Sequence, residues 1–191
     1  MERKLSAWSR FCGFLLHKVL GWKSIGEPAA EEKCIILGAP HTSIWDFVIS
    51  YLYYVGKGHD PKCMVKSSLF FWPLGPILRA MGGVPVDRSN STALVLSIIR
   101  EMRKPGYFHL AIAPEGTRQP VKRWKAGFHP IAREGGLDKV YLAMFDWGTK
   151  RVGIFGTYTI TDNAKYDIAE IQKLYEAQGL VGKTPSGYVT H

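Results

Sequence analysis

The sequence is poor in cysteine. Its 191 residues include three, Cys12, Cys34 and Cys63, which are far apart and form no Cys-x-x-Cys pair. An odd number of distant cysteines predicts neither a disulfide framework nor a zinc site built from clustered ligands. The pattern favours a protein that works in a reducing, cytosolic setting.

Long apolar runs are also missing near the N-terminus. The longest uncharged stretch there lies between Arg10 and Lys18, far short of the ~20 residues that a bilayer-spanning helix needs. It is also shorter and more interrupted than the core of a signal peptide, and no clear cleavage site follows it. We therefore expect a chain that neither spans a membrane nor is exported.

Acidic residues are outnumbered, at 16 against 25 Lys and Arg, which gives a formal net charge of +9. Such a surface attracts anions, whether phosphorylated substrates, acidic lipid headgroups or nucleic acid, and charge alone does not choose among them. Apolar residues make up 46% of the chain. At this length they are enough for one hydrophobic core.

Apolar side chains in residues 5–22 recur at alternating steps of three and four, the spacing of one helical stripe. The stripe consists of Leu5, Trp8, Cys12, Leu15, Val19 and Trp22. Arg3, Arg10, His17 and also Phe14 fall on the other side. Such a helix either lies at a membrane interface or packs on its own domain. We predict a membrane-associating amphipathic helix over residues 1–26 and one folded domain over 27–191.

Beyond the break at residues 26–28, short β-like runs alternate with helical ones. Strands are predicted over residues 34–39, 63–66, 83–87, 108–113, 140–145 and 152–160. Helices are predicted over 43–55, 69–81, 92–103, 125–133 and 168–178, and the tail from 179 to 191 is expected to be loose. This order predicts an α/β fold, with a mostly parallel central sheet flanked by helices.

Polar residues follow two of the predicted strands directly. The run CIILGAP leads into HTSIWD, and FHLAIAP leads into EGTR. In α/β sheets, functional side chains collect where the parallel strands end. These two segments are therefore the first candidates for a site.

His41 and Asp46, in the first of these segments, are five positions apart. On one helix they would point about 140° apart, so we place His41 in the turn before the helix, within reach of an Asp46 one turn inside it. An imidazole oriented by a carboxylate suits general base catalysis. Asp46 equally fits a capping box with Ser43, which is a purely structural role.

Charged and small polar residues at or just after the strand ends complete the candidate site. They are Lys66, Asp87, Arg88, Glu115, Gly116, Thr117 and Arg118. If the strands lie side by side, one imidazole faces several cations, an arrangement that would hold an anionic substrate beside a base. Taken singly, either arginine is equally explained by a surface ion pair and Gly116 by a turn.

In their order along the chain, HTSIWD, GGVPVDR and PEGTR resemble the first three sequence blocks of the glycerolipid acyltransferase family, which includes bacterial 1-acylglycerol-3-phosphate acyltransferases. The resemblance extends from about residue 34 to 145. It implies that His41 is the base and Asp46 its orienting partner. It also implies that Arg88, Glu115, Gly116 and Arg118 help to bind the phosphorylated acceptor.

The resemblance implies a reaction as well. A fatty acyl group is expected to pass from acyl-CoA or acyl-ACP to the free hydroxyl of a lysophospholipid, 1-acylglycerol-3-phosphate, in phospholipid biosynthesis. The family uses no metal or prosthetic group. The enzyme is expected as a peripheral protein on an anionic membrane surface, at the cytoplasmic face of the bacterial inner membrane. A lyso-aminolipid or another phosphate-free acceptor is the alternative within this class.

Two segments carry alternative interpretations. Residues 69–77, LFFWPLGPI, with the helix that begins near Trp45, would form either an apolar wall for the acyl chain or ordinary core. Lys122, Arg123 and Lys125 around Trp124 would form either a cationic rim or a solvated turn. These interleaved aromatic and basic residues would also suit a nucleic-acid-binding module. No helix-turn-helix, zinc-finger or RRM signature accompanies them, so we expect no nucleic-acid partner.

Overall fold

Strands and helices alternate along the chain in the structure, a computed structural model that describes residues 5–86, 91–119, 121 and 123–184. The strands are β1 (Lys23–Ile25), β2 (Lys33–Ala39), β3 (Pro61–Lys66), β4 (Gly83–Val86), β5 (Phe108–Ile112), β6 (Lys139–Asp146) and β7 (Arg151–Thr159). The α-helices are α1 (Ala7–Phe14), α2 (Ile44–Gly56), α3 (Leu74–Ala80), α4 (Ser91–Arg103), α5 (Phe128–Glu134) and α6 (Ala164–Glu176). A π-helical turn, Leu15–Val19, extends α1, and a 3₁₀ turn, Ser67–Leu69, follows β3.

The strands form one sheet in the order β1-β7-β6-β2-β5-β3-β4. β2 runs parallel to β5 and β6, and β3 runs parallel to β4 and β5. Among the strands described, β6 and β7 form the one antiparallel pair. The mostly parallel α/β fold predicted from the sequence is confirmed. Its consequence is that β2 to β6 all end at the same edge of the sheet, which we call the carboxyl edge.

Two apolar layers cover the faces of the sheet. Ile35 and Leu37 of β2 are fully buried on the face covered by α4, α5 and α6. Cys34 and Ile36 alternate with them and face the layer formed by α1 and α2. Burial on both faces explains why β2 is apolar throughout, as is typical of an inner parallel strand. It also fixes the loop that follows β2 between the two layers.

The N-terminal helix packs on α2 so closely that two glycines meet: a Cβ on Gly56 would lie 3.2 Å from Gly13 N. The residues that α1 and its π-turn bury are Ser9, Cys12 and Leu16, and Trp22 is buried just beyond them. Trp8, Phe11 and Phe14 are 55%, 50% and 57% exposed.

The predicted apolar stripe is therefore wrong in its orientation. Cys12 and Trp22, which it contains, belong to the core, whereas Phe14, placed on the polar side, is exposed beside Trp8 and Phe11. The helical segment is also shorter than the predicted 1–26, because Lys23–Ile25 form β1. No helix within the described ranges is long and apolar enough to cross a membrane.

Three helices begin three or more residues away from the predicted position. α3 begins at Leu74 instead of residue 69, since a proline at position 73 disfavours helical geometry for Trp72. α5 begins at Phe128 instead of 125, because the Lys125 N–H bonds to Pro114 O, outside any helix, at 2.7 Å. α6 begins at Ala164 instead of 168, because Asn163 caps it.

Candidate active site

His41 stands at the carboxyl edge, two residues beyond the end of β2. α2 begins at Ile44 with Ser43 as its N-cap, so His41 lies in the turn before the helix, as its spacing predicts. His41 Nδ1 is 3.3 Å from Asp46 Oδ2, and the imidazole is 24% exposed. No residue in the described ranges hydrogen-bonds to the opposite ring nitrogen, Nε2. An imidazole held at one nitrogen and open at the other can act as a general base.

Asp46 is fully buried and is the hydrogen-bonding centre of this loop. Its Oδ2 accepts from the backbone N–H of Thr42 at 2.8 Å and of Ser43 at 2.7 Å. The bond to Ser43 completes a capping box, in which Ser43 Oγ accepts from Trp45 N at 3.3 Å. The catalytic and the capping interpretations of Asp46 therefore describe the same oxygen atom, which caps α2 and faces His41.

The other carboxylate oxygen of Asp46 is bound by Trp147, a residue that lies outside the sequence motifs. The indole Nε1–H donates to Asp46 Oδ1 at 2.7 Å. Trp147 directly follows β6, which is parallel to β2 and ends at the same edge. Its ring packs edge-on against Trp22, with centroids 4.8 Å apart. A hydrogen-bond donor just after a parallel strand is the signal that would have identified it.

Glu115 reaches the same loop from the end of β5. Its Oε2 accepts from the backbone N–H of His41 at 2.9 Å. The side chain is 4% exposed, and Oε1 has no hydrogen-bond partner in the described part of the chain. Burial, aided by the nearby charge of Asp46, raises the pKa of Glu115 to about 7 even though the His41 N–H favours the charged form. Glu115 thus fixes the main chain of His41, and its contact with an acceptor stays a prediction.

The loop after Glu115 carries the other three predicted residues of the EGTR segment. Gly116 adopts a φ of +70°, a left-handed conformation that favours glycine, and a Cβ there would lie 3.0 Å from Lys125 Cγ. Thr117 Oγ1 accepts from Gln119 N at 3.3 Å. Arg118 is exposed. The left-handed backbone, with the Lys125 side chain close to it, explains why glycine suits position 116.

The structure describes some of the charged residues predicted at the strand ends and not others. Lys66 ends β3 and is exposed. Neither Lys66 nor Arg118 forms an ion pair with any carboxylate that the structure describes. Asp87 and Arg88 lie outside the described residues. Within those residues, no group of three or more His, Cys, Asp or Glu side chains is placed to hold a metal ion.

Two segments that had alternative interpretations differ sharply in burial. Phe71 and Trp72 are 57% and 85% exposed, so core packing does not account for them. Trp124, in contrast, is 7% exposed and packs edge-on against Tyr175 of α6 at 5.3 Å. The Trp124 ring thus belongs to the core, whereas Arg123 and Lys125 on either side of it are exposed. The choice between a cationic rim and a solvated turn stays a prediction. Lys122 lies outside the described residues.

Comparison with known proteins assigns this arrangement to a family. The profile of the Acyltransferase family matches residues 23–157, from β1 into β7, and includes the whole loop between His41 and Asp46. The chain belongs to the Acyltransferase family. The resemblance carried by the three motifs is thereby confirmed, and this acyltransferase has its His41–Asp46 pair at the edge where its parallel strands end.

The fold of the acyltransferase is similar to a crystal structure of the 1-acyl-sn-glycerophosphate (LPA) acyltransferase PlsC from Thermotoga maritima. The similarity covers 88% of this chain and 77% of the other, with a TM-score of 0.58 and 16% sequence identity. At this identity the likeness concerns the fold. No curated protein sequence matches the acyltransferase at a significant level.

Proposed function

We propose that this acyltransferase moves a fatty acyl group from acyl-CoA or acyl-ACP to the free hydroxyl of a lysophospholipid, as a step of phospholipid biosynthesis. The observation that carries the proposal is the pair formed by the partly exposed His41 and the fully buried Asp46. 1-Acylglycerol-3-phosphate is the proposed acceptor. The activity named for the protein of similar fold from T. maritima supports this choice.

In the proposed reaction, His41 acts through Nε2 while Nδ1 faces Asp46. Nε2 takes the proton of the acceptor hydroxyl as its oxygen attacks the thioester carbonyl. The carbon–sulfur bond then breaks, and the imidazolium returns the proton to the leaving thiolate. The carboxylate of Asp46 holds the ring in the required tautomer and stabilises the imidazolium. Its two oxygens accept from three donors, the Thr42, Ser43 and Trp147 N–H groups, which hold the side chain in place.

The acceptor phosphate is proposed to bind the exposed cations at the carboxyl edge. Arg118 follows β5, which neighbours β2, and Lys66 ends β3 on the far side of β5. Neither has a carboxylate partner among the residues described. A guanidinium offers two parallel donors to phosphate oxygens, so Arg118 is the stronger candidate of the two. Arg88 is proposed for the same role from its sequence block.

The acyl chain and the membrane are proposed to meet the exposed apolar surfaces. Phe71, Trp72 and Ile77 form one such surface, beyond the end of β3, and Trp8, Phe11 and Phe14 form another on α1. Apolar side chains exposed together mark binding surfaces for partners or membranes. With its net charge of +9, the protein would sit on an anionic surface at the cytoplasmic face of the membrane.

The test of the base is thiol release from acyl-CoA in the presence of a lysolipid. His41→Ala should lower kcat by roughly 10²- to 10⁴-fold, the range for loss of a general base. His59→Ala is a matched control, because His59 precedes β3 at the opposite edge of the sheet. Turnover of His41→Ala within twofold of wild type would remove the assignment.

The test of the acceptor is a comparison of lysolipids with and without a phosphate. Wild type should prefer the phosphorylated acceptor, and Arg118→Ala should raise the KM of that acceptor and lose most of the preference. Arg100→Ala, an exposed arginine near the end of α4, is the control and should keep the preference. A wild type that prefers a phosphate-free lysolipid would replace the proposed acceptor by a lyso-aminolipid.

A further inference from the structure

Residues 180–184, which we call the C-terminal strap, cross the active-site loop. The backbone N–H groups of Lys183 and Thr184 donate to Thr42 Oγ1 at 2.9 and 3.4 Å. Thr42 directly follows His41 and is 7% exposed. The expectation of a loose tail is therefore wrong for this stretch, which binds the residue beside the base.

The strap is also held at the turn after β6, on the other side of the His41–Asp46 pair. Trp147 N donates to Val181 O at 2.8 Å, and Val181 N donates to Asp146 Oδ1 at 3.2 Å. Asp146 is 2% exposed and also accepts from Gly148 N and the Arg151 guanidinium. Because the indole of Trp147 binds Asp46, the strap fixes a residue that fixes the carboxylate.

The side chain of Lys183 joins these two sides. Its Nζ lies 4.8 Å from the ring centroid of Trp45 and 4.6 Å from that of Trp147. A cation over the faces of two indoles is attracted to both rings. Trp45 precedes Asp46 in the first turn of α2. Lys183 therefore connects this turn with Trp147, whose indole binds the Asp46 carboxylate.

We propose that the C-terminal strap is a positioning element of acyl transfer, which keeps Thr42 and Trp147, and through them His41 and Asp46, in reactive geometry. The proposal rests on the role of His41 as base in the proposed function. The strap residues are positioning residues that act through the loop. A displacement of about 1 Å in a reacting group can cost on the order of 10²-fold in rate, so a small shift of the strap should be visible in kcat.

Gly182→Ala is the sharpest test. A Cβ at this position would lie 2.6 Å from Thr42 Cγ2 and 2.9 Å from Thr42 Oγ1, so the methyl group acts as a wedge between strap and loop. We expect kcat to fall roughly 10- to 100-fold, with the KM of donor and acceptor and the melting temperature nearly unchanged. Gly156→Ala is the matched control, since its Cβ would enter open space, and it should keep the wild-type kcat.

A second pair of variants tests the cation without adding a clash. Lys183→Met keeps the length of the side chain but removes the charge, and should lower kcat several-fold. Lys183→Arg keeps a cation over the two rings and should restore most of the rate. A merely structural role would lower the melting temperature of Lys183→Met and leave the kcat of the folded fraction unchanged.

His41→Ala in the same thiol-release assay separates the two proposals. If it keeps turnover, the proposed base is wrong. If it is inactive while Gly182→Ala and Lys183→Met turn over at the wild-type rate, the base stands and the strap proposal is overturned. If Gly182→Ala unfolds, the strap proposal is tested by comparing the kcat of Lys183→Met with that of Lys183→Arg. Equal values would overturn it.

Discussion

The indole N–H of Trp147 bonds to a carboxylate oxygen of Asp46 at 2.7 Å, across 101 positions of sequence. Because the Trp147 N–H occupies Oδ1, Oδ2 remains available to the N–H groups of the loop and to the imidazole of His41. The geometry of the His41–Asp46 pair therefore depends on a residue of another strand end.

Trp147→Phe should remove this bond while keeping an aromatic ring against Trp22. A hydrogen bond to a charged group contributes about 1.5–3 kcal/mol, so we expect a moderate loss in the free energy of unfolding and a fall in kcat of about tenfold. Steady-state kinetics and denaturant unfolding measure the two effects. Trp8→Phe, which removes an exposed indole bond to Tyr51, should change neither, and an unchanged kcat in Trp147→Phe would contradict the role given to the indole.

Asp46→Asn should lower both stability and activity. An amide has one accepting atom, so either the N–H groups of Thr42 and Ser43 or the indole N–H must face an NH₂ group. We expect a loss of roughly 1–3 kcal/mol in the free energy of unfolding together with a large fall in kcat. Asp60→Asn, at an exposed position, is the control. A variant that loses activity at full stability would show that the capping bonds contribute little.

The local part of the site was predictable from sequence, and the long-range part was not. The apolar run of β2 and the spacing of His41 and Asp46 place both residues in one turn. Trp147 and Glu115 reach that turn across 101 and 74 positions. Their contacts depend on β5 and β6 flanking β2, and a pattern of alternating strands and helices does not specify which strands are neighbours.

The orientation of α1 was mispredicted for a different reason. Cys12 and Leu16 point inward and Trp8, Phe11 and Phe14 point outward, so the helix is apolar on two sides. Periodicity finds an apolar side but does not say whether protein or solvent lies against it. The meeting of Gly13 with Gly56 decides the question, and it becomes visible only in three dimensions.

Glu115→Gln should change how stability depends on pH. Burial raises the pKa of Glu115 from 4.5 to about 7, so between these values the folded protein holds a proton that the unfolded chain has released. Wild-type stability therefore decreases as pH rises through this window, and the destabilisation is complete above pH 7. The melting temperature of Glu115→Gln relative to wild type should increase from pH 5 to pH 8.

Melting temperatures measured by differential scanning calorimetry at several pH values test this prediction. Glu134→Gln is the control, because Glu134 is exposed and pairs with Arg103. A difference between Glu115→Gln and wild type that stays constant over this range would show that Glu115 is ionised throughout.

Replacing Trp8, Phe11 and Phe14 together by serine should release the protein from anionic liposomes. Each side chain is at least half exposed, and full burial of such a residue in an apolar phase contributes about 1.5–3 kcal/mol. Co-sedimentation should fall strongly while the melting temperature stays near that of wild type. Deleting residues 1–25 is a poorer test, since it also removes buried Cys12, Leu16 and Trp22.

Leu96→Ser with Leu174→Ser is the matched control, because both residues are exposed on helices of the opposite face of the sheet. It should bind liposomes as wild type does. Equal binding by the triple variant would place the membrane contact on another surface, such as the one around Trp72.

The hydrogen bonds that hold the loop between β2 and α2 do not involve the imidazole of His41. Asp46 keeps its bonds to the Thr42, Ser43 and Trp147 N–H groups whatever the side chain at position 41, and Glu115 binds the main chain there. A chain with alanine at this position should therefore retain a formed but inert site, to which thioester and acceptor can be added together without turnover. For crystallographic capture of a ternary complex, His41→Ala is the reagent to prepare, and any change at Asp46 would distort the site that the experiment aims to display.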